Sequence, residues 1–403
     1  MKFFFSAGEP SGDIHAAALI ETIKRHAPNS EFVGLGGPKM EQAGCRLIAD
    51  MTQFAVMWLW QVIKRYFQFR KLLEDAKRAL IFENVDIVVL VDYPSFNWHI
   101  AKAAQDIGIP VVYFMPPQVW AWAQHRVKKM RRLIDVVLCS LPFEWQWFKR
   151  NGCETVFIGH PFFEEVRKKQ SDPNFLMNFY ALYGSGPVLT VLAGSRKQEV
   201  QTNLDDLLST VRRVQYEVPN VQPVFAAFNE EHAAMIQQRI SARKMTVPVF
   251  AKQTTELIRA ADCCLAVSGS VSLELLACNK PSVIYYRVGL FPLLVQRFFR
   301  RTRYITLVNL LAASHRRGQS VFYEDSVRVI PKEPSATDRD LMLFPEFLTS
   351  TDRSVEMSDI LIRWLSQPNQ LAAQKQRLDA LLREVDTVES PLDLAAKELL
   401  TPW

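Results

Sequence analysis

Lys2-Phe3-Phe4-Phe5-Ser6-Ala7-Gly8-Glu9-Pro10-Ser11-Gly12-Asp13 runs from an apolar stretch into small, flexible and charged residues. Ile14-His15-Ala16-Ala17-Ala18-Leu19-Ile20 then opens a helical pattern. The order reads as strand, glycine-rich turn, helix. Such a turn lets backbone N–H groups and a helix N-terminus approach a ligand closely, which suits anions. Glu9 and Asp13 add acid chemistry to it, and Ser11 or Asp13 can equally serve as the helix N-cap.

The same alternation continues outward. Lys2–Phe5, Phe32–Leu35, Asp86–Val91, Pro110–Phe114, Asp135–Cys139 and Thr155–Ile158 are short runs rich in Val, Ile and Phe without strict alternation, as strands buried on both faces are. Helical patterns such as Ala16–His26, Tyr66–Phe82 and Ile100–Ile107 fill the gaps, so the fold class is α/β with a parallel, doubly wound sheet. After the polar stretch from Glu164 to Pro187 the pattern restarts with Val188–Leu192, Val221–Ala226, Val247–Phe250, Asp262–Val267 and Ser282–Tyr286. Two Rossmann-like halves follow, and a cleft between such halves is a favoured ligand site. Ala313 to Asp340 reads as an irregular, polar insertion, and Ser354 to Leu400 as helices.

The chain has 403 residues, 49% of them hydrophobic, and a net charge of +6. That length suggests about two domains with a large core. The six cysteines show neither a C-x-x-C pair nor a zinc-like spacing, which argues against a metal and for reduced, cytosolic thiols. No apolar run approaches the ~20 residues of a bilayer span. No cleavable signal pattern precedes the first strand. A soluble or surface-attached protein is expected.

The basic residues are clustered. Arg126, Lys128, Lys129, Arg131 and Arg132 form one acid-free group, and Arg287, Arg297, Arg300, Arg301 and Arg303 another. Between Thr52 and Phe82, Trp58, Trp60, Val62, Ile63, Phe67 and Phe69 lie among Lys64, Arg65, Arg70 and Lys71. Leu290–Arg301 repeats the mixture with Phe291, Leu293, Phe298 and Phe299. Aromatics beside cations suit an anionic membrane interface, and core packing with a solvated basic face is the alternative. No nucleic-acid motif is visible.

Several turns carry chemistry. Asp92, in Val89-Leu90-Val91-Asp92-Tyr93-Pro94-Ser95-Phe96-Asn97, falls just past a strand end, where it can act as a general base or cap the next helix. Trp120 and Trp122 suit sugar stacking or burial. Gly194-Ser195-Arg196 opens a helix after the first strand of the second half, a diphosphate cradle with a guanidinium fork or an exposed cap. Ser268-Gly269-Ser270 repeats that logic, with Glu274 one turn on as a ribose acceptor or a helix-dipole acid. His15 and His160 draw interest from their positions, although a lone histidine is usually structural.

Taken in order, these turns resemble the lipid-A-disaccharide synthase family, inverting glycosyltransferases of the GT-B fold. The likeness is carried by Ser6 to Asp13, Gly36-Gly37-Pro38-Lys39-Met40, Phe54-Ala55-Val56-Met57, Asp92 to Asn97, Val119-Trp120-Ala121-Trp122, Leu141-Pro142-Phe143-Glu144, Gly159-His160-Pro161, Gly194-Ser195-Arg196, Ser268-Gly269-Ser270 and Tyr286-Arg287-Val288. The resemblance implies an acceptor-binding domain over 1–165, a UDP-sugar-binding domain over 187–350 and C-terminal helices over 351–403 packing across both. It implies transfer of 2,3-diacylglucosamine from UDP to 2,3-diacylglucosamine 1-phosphate, without metal or other cofactor, at the inner face of the cytoplasmic membrane. By the same resemblance Asp92 is the base, with Glu9, Ser11 and His15 at the acceptor side. Gly194, Ser195, Arg196, Ser268, Gly269, Ser270, Glu274 and Asn309 would hold UDP. Trp58, Trp60, Phe67, Phe298, Phe299, Arg300 and Arg301 would meet the lipid, and a homodimer exchanging its tail is compatible with the fold. Three departures stand out. Ser95 replaces the second acid of Asp-x-Pro-Asp-Phe-Asn, and Ala193 replaces a proline. The Gly-Arg-Glu expected after Leu307–Ala313 is missing, leaving Arg316 or Arg317 as substitutes. A UDP-N-acetylglucosamine 2-epimerase-like isomerase and a non-catalytic lipid- or nucleotide-binding relative are the alternatives.

Overall fold

The computed structural model describes residues 1–51, 62–168, 172–184, 186–267, 269, 271–315, 320–323, 331 and 335–401; of 62–68, 173, 336 and 337 only the backbone is described. The chain divides into a first unit, Met1–Glu164 with Thr387–Trp403, and a second, Glu165–Asp386.

The first unit holds β1 (Lys2–Ala7), β2 (Glu31–Gly36), β3 (Arg46–Asp50), β4 (Ile87–Val91), β5 (Val111–Phe114), β6 (Val136–Cys139) and β7 (Thr155–Phe157). They form one sheet in the order β3-β2-β1-β4-β5-β6-β7, with every pairing parallel. β4 is buried along its whole length, so its Ile-Val-Val-Leu-Val run shows no alternation. The order reverses between β1 and β4, and their ends are in register, Ala7 opposite Val91. The loops that follow these two strands therefore leave the sheet side by side at its switch point.

The first helix, Pro10–His26, starts earlier than the sequence pattern suggests, with Glu9 at the N-cap and Pro10 at the first helical position. Proline fits there because its fixed φ is helical and no N–H is needed. Neither Ser11 nor Asp13 caps this helix. The C-terminal helix Pro391–Leu400 packs on it, placing Ala395, Ala396 and Leu399 beside Ala16, Ala17, Leu19 and Ile20 in one core. Small side chains on both helices allow the close approach, and Asp393 reaches His26 Nε2 at 2.9 Å.

The second unit holds β8 (Val188–Leu192), β9 (Gln222–Ala227), β10 (Val249–Ala251), β11 (Cys263–Val267), β12 (Ser282–Arg287) and β13 (Glu346–Thr349), in the order β10-β9-β8-β11-β12-β13. All pairings are again parallel. The helix Lys197–Glu217 buries Val200, Leu204, Leu207, Leu208, Val211 and Val214, one stripe at helical spacing. The helix Ser354–Ser366 covers that core with Met357, Leu361 and Trp364. Of the C-terminal helices, 354–366 and 368–385 belong to this unit and 391–400 to the first.

β3 and β13 have no counterpart among the strand patterns read from sequence. Both are edge strands and only partly buried. Edge strands carry polar residues such as Arg46, Asp50 and Glu346, so no continuous apolar run marks them.

Candidate active site

β1 runs out into Gly8-Glu9, and β4 into Asp92-Tyr93. Asp92 and Tyr93 both adopt left-handed backbone, φ 47° and 40°. That conformation is costly for residues with side chains and is found where surrounding structure enforces it. Here Asn97 does the enforcing. Fully buried, its amide donates to the carbonyls of Ser6, Val91 and Asp92 at 3.2, 3.1 and 2.8 Å, and it accepts from Ser6 Oγ at 2.7 Å. The Tyr113 hydroxyl donates to the Asp92 carbonyl at 2.5 Å. Gly8 is required because a Cβ there would lie 2.2 Å from the Tyr93 ring.

The Asp92 carboxylate is half-buried, and no hydrogen bond from a described residue reaches it. Its Oδ2 lies against Gly12, where a Cβ would sit 3.2 Å away. Burial, with Glu9 adding like charge, pushes its pKa up to about 6. Of the candidates in the opening turn, Glu9 is thus brought to Asp92. Ser11 is exposed in the first helical turn. Asp13 is buried and accepts from the backbone N–H groups of Gly37, Lys39 and Met40 at 2.9 to 3.0 Å. It caps the helix Pro38–Gln42 rather than contributing chemistry.

His15 meets His160 edge-on, ring centroids 6.3 Å apart. Burial holds both below the ordinary histidine range, His160 at about 3. The Phe162 N–H donates to His160 Nδ1 at 3.2 Å. Without a charged partner, both imidazoles are thus biased toward the neutral form. The two tryptophans separate: Trp120 is buried and donates from Nε1 to Glu144 at 3.0 Å, while Trp122 is exposed. Burial raises the Glu144 carboxyl to about 7.

In the second unit the strand order reverses between β8 and β11, which pair in register through Leu192 and Ala266. Gly194-Ser195-Arg196 follows β8, with Gly194 at φ 113°. Arg196 is the N-cap of the 197–217 helix, its side chain 80% exposed. The Glu199 carboxylate accepts from the N–H groups of Ser195 and Arg196 at 3.2 Å each. The helix end thus already holds an anion, its own, with the Arg196 guanidinium 3.5 Å from it. Gly269, exposed after β11, has open space around it, while Ser268 and Ser270 lie outside the described residues. Glu274 is half-buried and accepts from the Thr255 hydroxyl at 2.8 Å.

Two assignments change. Asn309 is buried, and its side chain is engaged internally. It donates to Phe344 O and Glu346 Oε2 at 2.7 and 2.9 Å and accepts from the N–H groups of Leu343 and Phe344 at 2.9 and 3.0 Å. It braces β13 and does not face a nucleotide. Arg300 is half-buried, lining a cavity of about 50 Å³ with Tyr323 and Glu346, so its charge faces the unit's interior rather than a lipid surface. Its neighbours Phe298 and Phe299 are exposed, and the whole helix Leu290–Phe299 buries no residue; Arg301 is half-buried. Trp58, Trp60, Arg316, Arg317 and the Phe67 side chain lie outside the described residues. Among the described residues no cluster of histidine, cysteine or carboxylates could hold a metal, and no helix is long and apolar enough to cross a membrane.

The fold recurs in known structures. UDP-GlcNAc 2-epimerase from Neisseria meningitidis bound to UDP-GlcNAc matches with a TM-score of 0.58 at 12% identity, covering 99% of this chain and 98% of that one. The calicheamicin glycosyltransferase CalG4 matches with 0.56 at 14%, covering 99% and 97%. The fold is that of the GT-B glycosyltransferases and their epimerase relatives. A lipid-A-disaccharide synthase 1 from Legionella pneumophila (strain Paris) is 29% identical over 397 residues, 98% of this chain and 96% of the relative. A lipid-A-disaccharide synthase from Solibacter usitatus (strain Ellin6076) is 33% identical over 315 residues, 77% and 81%. The lipid-A-disaccharide synthetase family matches residues 3–319. The chain belongs to that family, one of disaccharide-forming glycosyltransferases.

Proposed function

We propose that this protein transfers a 2,3-diacylglucosamine unit from UDP to the 6-hydroxyl of 2,3-diacylglucosamine 1-phosphate with inversion, releasing UDP and needing no metal. The observation that carries the reading is the Asp92 carboxylate, held on strained backbone at the β1/β4 switch point with no hydrogen-bond donor of its own among the described residues. As the acceptor oxygen attacks the anomeric carbon, the bond to the UDP phosphate breaks and the hydroxyl proton passes to Asp92. A pKa of about 6 leaves this carboxylate largely ionised at pH 7 yet more basic than an ordinary aspartate. Negative charge develops on the leaving diphosphate, and the exposed Arg196 guanidinium suits it.

Acylated substrates fit the helix Leu290–Phe299, where Leu290, Phe291, Phe298 and Phe299 are more than half exposed. That surface suits attachment to the inner face of the cytoplasmic membrane.

The test is UDP release from the acylated UDP-sugar, with and without the acylated sugar phosphate, in the presence of a chelator. Release only with both substrates, undiminished by chelation, is expected. Release without acceptor, or isomerisation of unacylated UDP-N-acetylglucosamine, would overturn the reading.

A further inference from the structure

One cavity of the first unit, about 360 Å³ in volume, takes no part in the site described above. It lies between the helix Pro94–Asp106, which starts two residues after Asp92, and the 3₁₀ turn Gln124–Arg126 with the helix Val127–Leu133. Each wall presents one stripe. Ser95, His99 and Lys102 follow i, i+4, i+7 on the first helix; Arg126, Lys129 and Arg132 follow i, i+3, i+6 on the second. These spacings put each set on a single face. The side chains of Trp98 and Leu133, both buried, make its apolar floor.

The charge balance is one-sided. Asp106 pairs with Lys102 at 2.8 Å. Among the described residues no ion pair involves Arg126, Lys129 or Arg132, so the cavity keeps an excess of three positive charges. Like charges one turn apart repel one another, and an anion seated among them would relieve that repulsion. The volume suits a single sugar-sized headgroup. Two arginines and a lysine suit a doubly charged phosphate monoester better than a carboxylate. At the near end the first turn of the 94–106 helix adds the Ser95 hydroxyl and the positive end of the helix dipole.

We propose that this cavity binds the anomeric phosphate of the acceptor, a phosphate monoester on an amphiphilic sugar, and so fixes which hydroxyl reaches Asp92. This rests on the transferase reading. Phosphate held along the Arg126–Lys129–Arg132 stripe leaves the rest of the sugar toward Ser95, in the first turn of the helix that begins two residues after Asp92. The competing source of the same chemistry is the phosphate of a membrane phospholipid.

The experiment compares the wild type with Arg132→Ala and with the triple variant Arg126→Ala/Lys129→Ala/Arg132→Ala, in non-ionic detergent micelles. The acceptor and its dephosphorylated analogue are both used, and binding is measured alongside turnover. All three residues are exposed, so the variants should fold, and an unchanged donor KM confirms it. The acceptor KM should rise about 10-fold for Arg132→Ala and about 100-fold for the triple variant. The dephosphorylated analogue should be handled alike, within about 2-fold, by wild type and variants, since the partner of the lost cations is then already gone. Equal losses with both acceptors would overturn the proposal. So would an unchanged acceptor KM accompanied by weaker sedimentation with anionic phospholipid vesicles, which would make the cavity a phospholipid site. Wild-type protein that binds the phosphorylated acceptor through these cations yet forms no disaccharide would overturn the transferase reading and leave this one standing.

Discussion

Replacing Asp92 by asparagine keeps the shape of the side chain and removes its charge. In the folded protein that charge sits at a disadvantage, because burial and then Glu9 raise the carboxyl from 3.8 to about 6. A raised folded pKa means the wild type loses stability as pH climbs from the unfolded value through the folded one, and the loss is complete above it. Taken at face value the shift corresponds to about 3 kcal/mol. The carboxylate keeps a path to solvent, so about 1 to 3 kcal/mol is the working range. Asp92→Asn should therefore be more stable than the wild type by that amount at pH 8, with a Tm higher by about 2 to 4 °C per kcal/mol in a unit of this size. The gain should vanish near pH 3, where the wild-type carboxyl is protonated in both states. Turnover should fall about 100-fold or more, with UDP affinity retained. Thermal unfolding followed at pH 3, 5 and 8, with the UDP-release assay, reads all of this. A variant that keeps more than about a tenth of wild-type turnover, or gains stability equally at every pH, would refute the base assignment or its electrostatic origin.

Other consequences are separable. In the wild type kcat/KM should fall on the acid side with a midpoint near 6, and Glu9→Gln should move that limb part of the way toward the ordinary carboxylate range; an unmoved limb would instead report titration of the acceptor phosphate. Arg196→Ala should weaken UDP binding about 10-fold without lowering Tm, since the side chain is exposed; equilibrium titration with UDP checks it. Asn309→Ala should cost about 2 to 4 kcal/mol of stability in denaturant unfolding, because two backbone N–H groups lose their acceptor, while UDP affinity of the folded protein stays unchanged. Phe291→Ser with Phe299→Ser should reduce vesicle sedimentation about 10-fold or more and spare turnover in micelles; unchanged sedimentation would remove this helix from the membrane surface.

The inner strands were legible because burial on both faces forces runs such as Ile87–Val91 to be apolar throughout. The turns at both switch points were legible for a related reason. Once strand order is guessed, the residues after β1, β4, β8 and β11 are where ligand chemistry belongs. What stayed hidden were polar residues whose partners lie far along the chain. Asp13 reads as a cap for its own helix, yet it serves the helix that begins at Pro38, and nothing local announces that. Asn97 closes the Asp92-to-Asn97 motif, but the motif does not say what it does, and only the fold shows that it holds the turn in place. Asn309 is placed at the nucleotide only by the family resemblance; the N–H groups of Leu343 and Phe344, which donate to its side chain, give it a structural task that no local pattern announces. The basic stretch from Arg126 to Arg132 was visible as charge, but the facing stripe on the 94–106 helix required the fold.

The helix Pro391–Leu400 finishes the core begun by the strand Lys2–Ala7. Synthesis usually lets earlier domains mature first, and here that order is inverted. The second unit is one unbroken stretch of chain and can consolidate while the ribosome is still working. The first must wait, with Ala16, Ala17 and their neighbours uncovered, until residues 391–400 emerge. A nascent lobe left open this long is the natural client for a chaperone, and a premature stop late in the message would damage the oldest part of the molecule rather than the newest.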